Sequence, residues 1–530
     1  MTRPARAGRA VRTALALLLT AASAALTAQG AQAATAATQE VAYRGYHLRV
    51  PADWPVIDLA TAPDTCVRFD VHAVYLGHPA GQEHCPTHLV GRTEALLIEP
   101  LDGTGTAAVD RDTLVAPKGT ATYAPGRTTA AEPGEIRLAV PSAGVIATAT
   151  YGTGKASAER ILRTGRLDGR ARPGASGTRP GAGRTPKATA SAAALAITAQ
   201  PGTYTGKGFD TCAAPSTSTM NAWGASPYRA VSVYIGGNSR ACAQPALTSS
   251  WVSTVTGNGW HLIPTYVGSQ APCSSFGHTV STDPATARSQ GTAEADDAVA
   301  QAQALGIPAD SVLYNDMEGY DNTNSSCSTG VLNYLSAWTA ELHARGYRSG
   351  VYSSAGSGMR DLAAQYTTGA YTLPDHIWFA WWNGVADTDA GTYVPAADWA
   401  DHQRIHQHFG GTDETWGGVT VNIDGDYLDV DGGGSVPPPS AKYWVDTFAT
   451  APVYASPTSP ARTGTLNAGT NYVYCKAWGR QVGDATTYNH WWLKTDPDTG
   501  PAGQYVSAYY LSRWGNDEAR DDNGTVIPDC

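Results

Sequence analysis

Two carboxylates stand two positions apart in Leu313-Tyr314-Asn315-Asp316-Met317-Glu318-Gly319. On an extended strand such side chains face the same way, so Asp316 and Glu318 share a face with Tyr314, the acids about 7 Å apart. Buried together they cannot both ionise cheaply, and one is expected to keep its proton near neutral pH. A protonated acid of this kind can protonate a glycosidic oxygen, while its ionised neighbour stabilises positive charge or positions a nucleophile. Asp-x-Glu alone is more often a polar strand end or an oxygen-ligand cation site. Its weight rises with Asp210 in Gly208-Phe209-Asp210, and with Asp424 and Asp426 in Val421-Asn422-Ile423-Asp424-Gly425-Asp426-Tyr427.

Other reactive residue types form weaker patterns. Asp70, His72, His78, His84 and His88 read as scattered surface groups beside a local disulfide, and His406 and His408 share a face without a third ligand at matched spacing. No metal and no cofactor is therefore expected. The eight cysteines fall as sequence neighbours, giving the expected pairs Cys66 with Cys85, Cys212 with Cys242, Cys273 with Cys327 and Cys475 with Cys530. That number fits an oxidising compartment, and no C-x-x-C points to structural zinc.

The acids need a scaffold. Strands are expected near 208–211, 230–235, 261–267, 311–318, 348–352, 377–382, 404–409 and 421–427, alternating with helices. One helix is marked by Val331, Tyr334, Leu335, Trp338 and Leu342 on a single face. Another carries Ala295, Val299, Ala302 and Leu305 and stops at Gly306 and Pro308. Eight strands over 201–433 predict an α/β fold, a (β/α)8 TIM-type barrel rather than an open doubly wound sheet. Its working groups would sit at the C-terminal strand ends.

Around this barrel the composition shifts. Arg3, Arg6, Arg9 and Arg12, an apolar run from Ala14, and Ala31-Gln32-Ala33 read as a signal peptide over 1–33. A β-rich domain of unreadable function is expected over 40–165. A Gly, Pro, Ala and Ser-rich tether follows over 166–200, a Gly/Pro linker over 434–440, and a small Trp- and Tyr-rich module over 441–530. No later stretch is long and apolar enough to span a bilayer. The net charge is −10, and loss of four leader arginines would take it to −14. Such acidity disfavours nucleic acid as a partner. Trp 15 and Tyr 26 against Phe 6 favour aromatics with a polar edge, suited to stacking on sugar faces. The oligomeric state is not readable.

Together, Gly-Phe-Asp210, Tyr-Asn-Asp316-Met-Glu318 and Val-Asn-Ile-Asp424-Gly-Asp426-Tyr resemble the glycoside hydrolase family 25 lysozymes. They are closer still to the DUF1906 domains, which are Rv2525c-like and glycoside-hydrolase-like. Tyr352 in Gly-Val-Tyr-Ser-Ser, Trp378 and Trp382 in Ile-Trp-Phe-Ala-Trp-Trp, and Gln407 in Ile-His-Gln-His agree. The resemblance implies hydrolysis of a β-1,4 bond in peptidoglycan by a secreted or wall-associated protein. Glu318 would be general acid, Asp316 its ionised or orienting partner, and Asp210 and Asp424 the acidic floor. Tyr266, Tyr352, Trp382 and Gln407 would line the sugar groove. Trp382, His406, His408 and Thr211-Cys212 depart from the lysozyme pattern, which keeps a second reading open: an inactive carbohydrate- or wall-binding barrel. In the C-terminal module, Tyr505-Val-Ser-Ala-Tyr-Tyr-Leu511 resembles a bacterial SH3-like β-barrel.

Overall fold

The computed structural model describes residues 37–102, 113–123, 134–168, 197–431 and 442–527. The proposed leader, most of the tether, the Gly/Pro linker and Cys530 lie outside these.

Eight strands close a barrel: β1 (Tyr204–Asp210), β2 (Tyr228–Gly236), β3 (His261–Tyr266), β4 (Val312–Asp316), β5 (Arg348–Ser354), β6 (His376–Ala380), β7 (Gln403–Trp416) and β8 (Val419–Val430). Five helices lie between them: α1 (Thr217–Ala222), α2 (Ser249–Gly257), α3 (Pro284–Leu305), α4 (Ser325–Ala344) and α5 (Arg360–Gln365).

The expected (β/α)8 TIM-type barrel is not what forms. Strands β1 to β7 pair in parallel, but β8 runs antiparallel to both β7 and β1. No helix follows β6 or β7. The cause is local. Trp416-Gly417-Gly418-Val419 turns the chain back at once, with both glycines at positive φ (59° and 82°), leaving no length for a crossover helix. The barrel is mixed.

Its interior below the mouth is filled by Ala230, Ile263, Val312, Tyr314, Trp378, Ile405, Leu428 and Val430. Outside, α3 and α4 pack on the strands. Asp283 caps α3 through the Thr286 amide (2.9 Å), and Gly306 ends it at φ 78°. Asn324 caps α4 through the Cys327 amide (3.2 Å). The two helices approach closely at Gly291, where an added Cβ would stand 2.2 Å from the Tyr334 carbonyl oxygen. Gly291→Ala should therefore cost about 1–3 kcal/mol through overpacking. Urea unfolding measures this, and an unchanged midpoint would show that the helices part freely.

Ahead of the barrel, the described residues between 38 and 168 build a six-stranded mixed sheet, a three-stranded antiparallel sheet and the helix Ala156–Arg163. The apolar faces of Leu96, Ile98, Leu138, Val145 and Leu162 make its core. Beyond the barrel, residues 443–507 supply seven strands in a two-stranded and a five-stranded sheet around Val453, Leu493 and Val506. Three disulfides join Cys66 to Cys85, Cys212 to Cys242 and Cys273 to Cys327. Cys475 is also disulfide-bonded, and its expected partner Cys530 lies outside the described residues.

Candidate active site at the barrel mouth

Alternation on the strands decides which side chains enter the barrel. On β1 the inward residue at the mouth is Asp210, and antiparallel pairing sets it level with Asp424 on β8. Because β8 is reversed, Asp424 comes before Asp426 in sequence yet lies nearer the mouth. From β4, Asp316 turns inward, and Glu318 follows just past the strand end. Asp210, Asp316 and Glu318 line one small cavity with Tyr234, Thr265, Tyr352, Trp378 and Gln407.

Gln407 links the walls. Its amide nitrogen donates to Asp210 Oδ2 (2.9 Å) and Asp424 Oδ2 (3.4 Å). Its carbonyl accepts from the Tyr352 hydroxyl (3.1 Å) and the Trp382 indole (3.0 Å). Below, Trp378 Nε1 donates to Asp426 Oδ1 (2.9 Å). Gln270 braces the acid pair, donating to the Asp316 carbonyl (2.8 Å) and accepting from the Glu318 amide (2.8 Å).

Burial and crowding raise the acids together. Burial, then the charges of Asp424 and Asp426, pushes the Asp210 carboxyl well above the ordinary range. Burial and then Glu318 do the same to Asp316. Burial raises Asp426, opposed by the Trp378 indole and reinforced by Asp424. Glu318 is raised by burial, drawn back in part by His88 and pushed up by Asp424. Asp316 is buried, while Glu318 keeps partial exposure. Asp210 and Asp316 are raised further than Glu318, so the cluster holds protons that its members share, and it can both give a proton and answer charge developing in the mouth.

A raised carboxyl costs folding free energy only above its unfolded-state pKa. Below that value both states hold the proton. As pH rises toward the raised folded value, the unfolded chain ionises first and stability falls. Asp426→Asn removes this cost and retains an acceptor for Trp378. Its stabilisation should thus vanish near pH 4 and grow above it by at most about 1.4 kcal/mol per pH unit. Thermal melts of both proteins from pH 4 to 7 give the comparison, and a gain that shrinks with pH would contradict the shared-charge picture.

Two expected groove residues sit differently from their neighbours. Tyr266 is not in the groove. One-residue alternation on β3 turns Thr265 inward and Tyr266 outward, where its hydroxyl donates to Asp297 (2.8 Å) and its ring meets Trp338 at 5.5 Å. Trp382 stands on the rim, 58% exposed. His406 is engaged outside the barrel by the Asp387 and Trp381 carbonyls (both 2.8 Å). Among the described residues no group of three or more His, Cys, Asp or Glu is placed to hold a metal ion.

Sequence reasoning missed Tyr234 and Thr265, which the alternation of β2 and β3 could have supplied, and it read His88 as one of several scattered surface groups, whereas His88 lines the acidic cavity. His88 comes from the segment ahead of the barrel. Its Nδ1 lies 2.7 Å from Asp424 Oδ2, its ring meets Trp382 at 4.9 Å, and it lines the same cavity as Glu318. Thr87 Oγ1 donates to Asp424 Oδ1 (2.6 Å), as does the Gly411 amide (2.6 Å). Asp424 is thus a saturated rim anchor rather than an open floor. Burial works against a charge on His88, yet the hydrogen bond and the charges of Asp424 and Glu318 leave its pKa above the ordinary imidazole value.

Comparison with known proteins gives a family match within the barrel. No curated protein matches the chain. Among solved structures, an uncharacterized B. stearothermophilus protein is 19% identical, with 42% of this chain and 95% of that one covered and a TM-score of 0.29. The Clostridium perfringens spore cortex lytic enzyme SleM is 14% identical, with 61% and 95% covered and a TM-score of 0.30. Likeness at that level says nothing about chemistry here. The family match is local to the barrel, running from the end of α1 to β8 and leaving Asp210 and the C-terminal module outside it. Residues 221–428 match the family model of the Rv2525c-like, glycoside hydrolase-like domain.

Proposed function

We propose that this protein is an exported glycosidase of the bacterial cell wall, cleaving β-1,4 bonds of peptidoglycan with Glu318 as general acid. The observation that carries the reading is the gathering of Asp210, Asp316 and Glu318 around one cavity at the barrel mouth, beside Tyr352 and the exposed Trp382. In the reaction, Glu318 would give its proton to the glycosidic oxygen as the bond lengthens. An ionised member of the Asp210–Asp316 pair would balance positive charge on the sugar while water adds to the anomeric carbon and returns a proton to the cluster, and Trp382 would support a ring face. An open groove of about 470 Å³, lined by Gly319, Tyr320, Asp321, Ser354 and Ser357, begins one residue after Glu318 and offers room for a glycan arm. The disulfides fit an oxidising, extracellular setting.

The test is chemical. Purified peptidoglycan is digested with the protein and with its His88→Gly form, and new reducing-end sugars are identified by mass spectrometry. Reducing-end N-acetylmuramic acid is the expected product. No new reducing ends from either protein would remove the enzyme reading, and retention on cell walls without cleavage would leave a glycan-binding barrel.

A further inference from the structure

We infer that the segment Gln82–Arg92 is an intramolecular plug that shuts the acidic mouth, so that the chain folds into a self-inhibited state. This rests on the reading of the mouth as the working site, and adds that access to it is controlled from within the chain.

The segment is built to stay in place. The Cys66–Cys85 disulfide closes its base. On one side Glu83 takes the start of α1, accepting from the Ser216 amide (3.3 Å) and the Thr219 hydroxyl (2.8 Å). On a second side the Asn422 amide of β8 donates to the Glu83 carbonyl (2.9 Å), and Asn422 Oδ1 accepts from the Thr87 amide (3.2 Å). On a third, the Gly91 amide donates to the Ser239 carbonyl (2.7 Å) and Val90 bridges to Arg240. Nearby, the Phe69 amide donates to the Ala241 carbonyl (2.7 Å). These contacts ring the mouth.

At its tip His88 takes φ 61°, a left-handed conformation unfavourable for a residue with a Cβ. Surrounding contacts must hold it there, and what it gains is the Asp424 pair and the Trp382 face. The barrel accommodates the ring with a glycine: a Cβ on Gly410 would stand 2.7 Å from His88 Nε2. With His88 seated, the space among the acids is only about 10 Å³, the scale of one water and far too small for a sugar. The groove beyond Gly319 stays open, so the obstruction is confined to the catalytic end. Because plug and mouth share one chain, their effective concentration is on the order of millimolar, and a modest contact suffices to keep the mouth closed.

The test uses the full chain. His88→Gly removes the ring and relieves the positive φ, so folding is protected, and Thr87→Ala/His88→Gly removes the second contact to Asp424. Access is read without any glycan, by carbodiimide coupling of glycine ethyl ester followed by peptide mass spectrometry at Asp424 and Glu318. If the mouth is closed about 90% of the time, both variants should label about tenfold faster than wild type. Titration calorimetry with an N-acetylglucosamine tetrasaccharide should show a matching gain in affinity. Labelling rates equal to wild type in both variants overturn the plug. Faster labelling without saccharide binding supports the plug and sinks the glycan reading, so the two failures are distinct.

Discussion

Glu318→Gln is expected to abolish cleavage of purified peptidoglycan, lowering release by about a thousandfold while the melting temperature holds or rises. Losing a positioned proton donor costs on the order of 10²–10⁴ in rate. The amide keeps the shape of the side chain and removes a carboxyl whose ionisation burial and Asp424 oppose. The comparison is best made in the His88→Gly background as well, where access does not limit the rate. Equal release with and without the Glu318→Gln substitution would move the acid elsewhere, with Asp316 next in line. A fall in release matched by a fall in stability would instead mark Glu318 as structural.

The second large effect is on folding. Trp338 on α4 is fully buried against Tyr266, in the same core as Phe209, Ala295 and Leu342. Trp338→Ala should cost about 3–5 kcal/mol, since the surrounding helix and strand cannot collapse into so large a void. Trp382→Ala should cost no more than about 0.5–1.5 kcal/mol, because that ring is mostly exposed and gives up little beyond its hydrogen bond to Gln407 and its contact with His88. It should still weaken glycan binding. Chemical denaturation of the two variants separates a core aromatic from a rim aromatic, and comparable losses would contradict the assignment of Trp382 to the mouth.

Much of this arrangement is legible in the sequence because it is local. The eight strands follow from apolar runs between turns, and the faces of α3 and α4 from spacing of buried residues such as Val331, Leu335 and Trp338. Strand direction is not local. Alternation at Val421–Tyr427 reads the same forwards and backwards, so it points to a β8 running with the others although Gly417-Gly418 between apolar residues carries a hairpin signal. Tyr266 is misplaced by one residue of phase at a strand end. His88 reaches Asp424 across the whole barrel sequence, a pairing fixed only when two regions far apart in the chain meet. Its type and neighbours give no hint.

The reversed strand also limits how this protein can change over evolutionary time. Most connections here could gain or lose a residue at little cost, since loops absorb length. The Gly417-Gly418 hairpin cannot. Its length sets which residues of β8 point inward, and sliding that strand by a single position would present Ile423 and Gly425 in place of Asp424 and Asp426. A one-residue insertion there, remote from every acid, should erase the site in one step, whereas a two-residue insertion would keep the facing pattern and shift only its height.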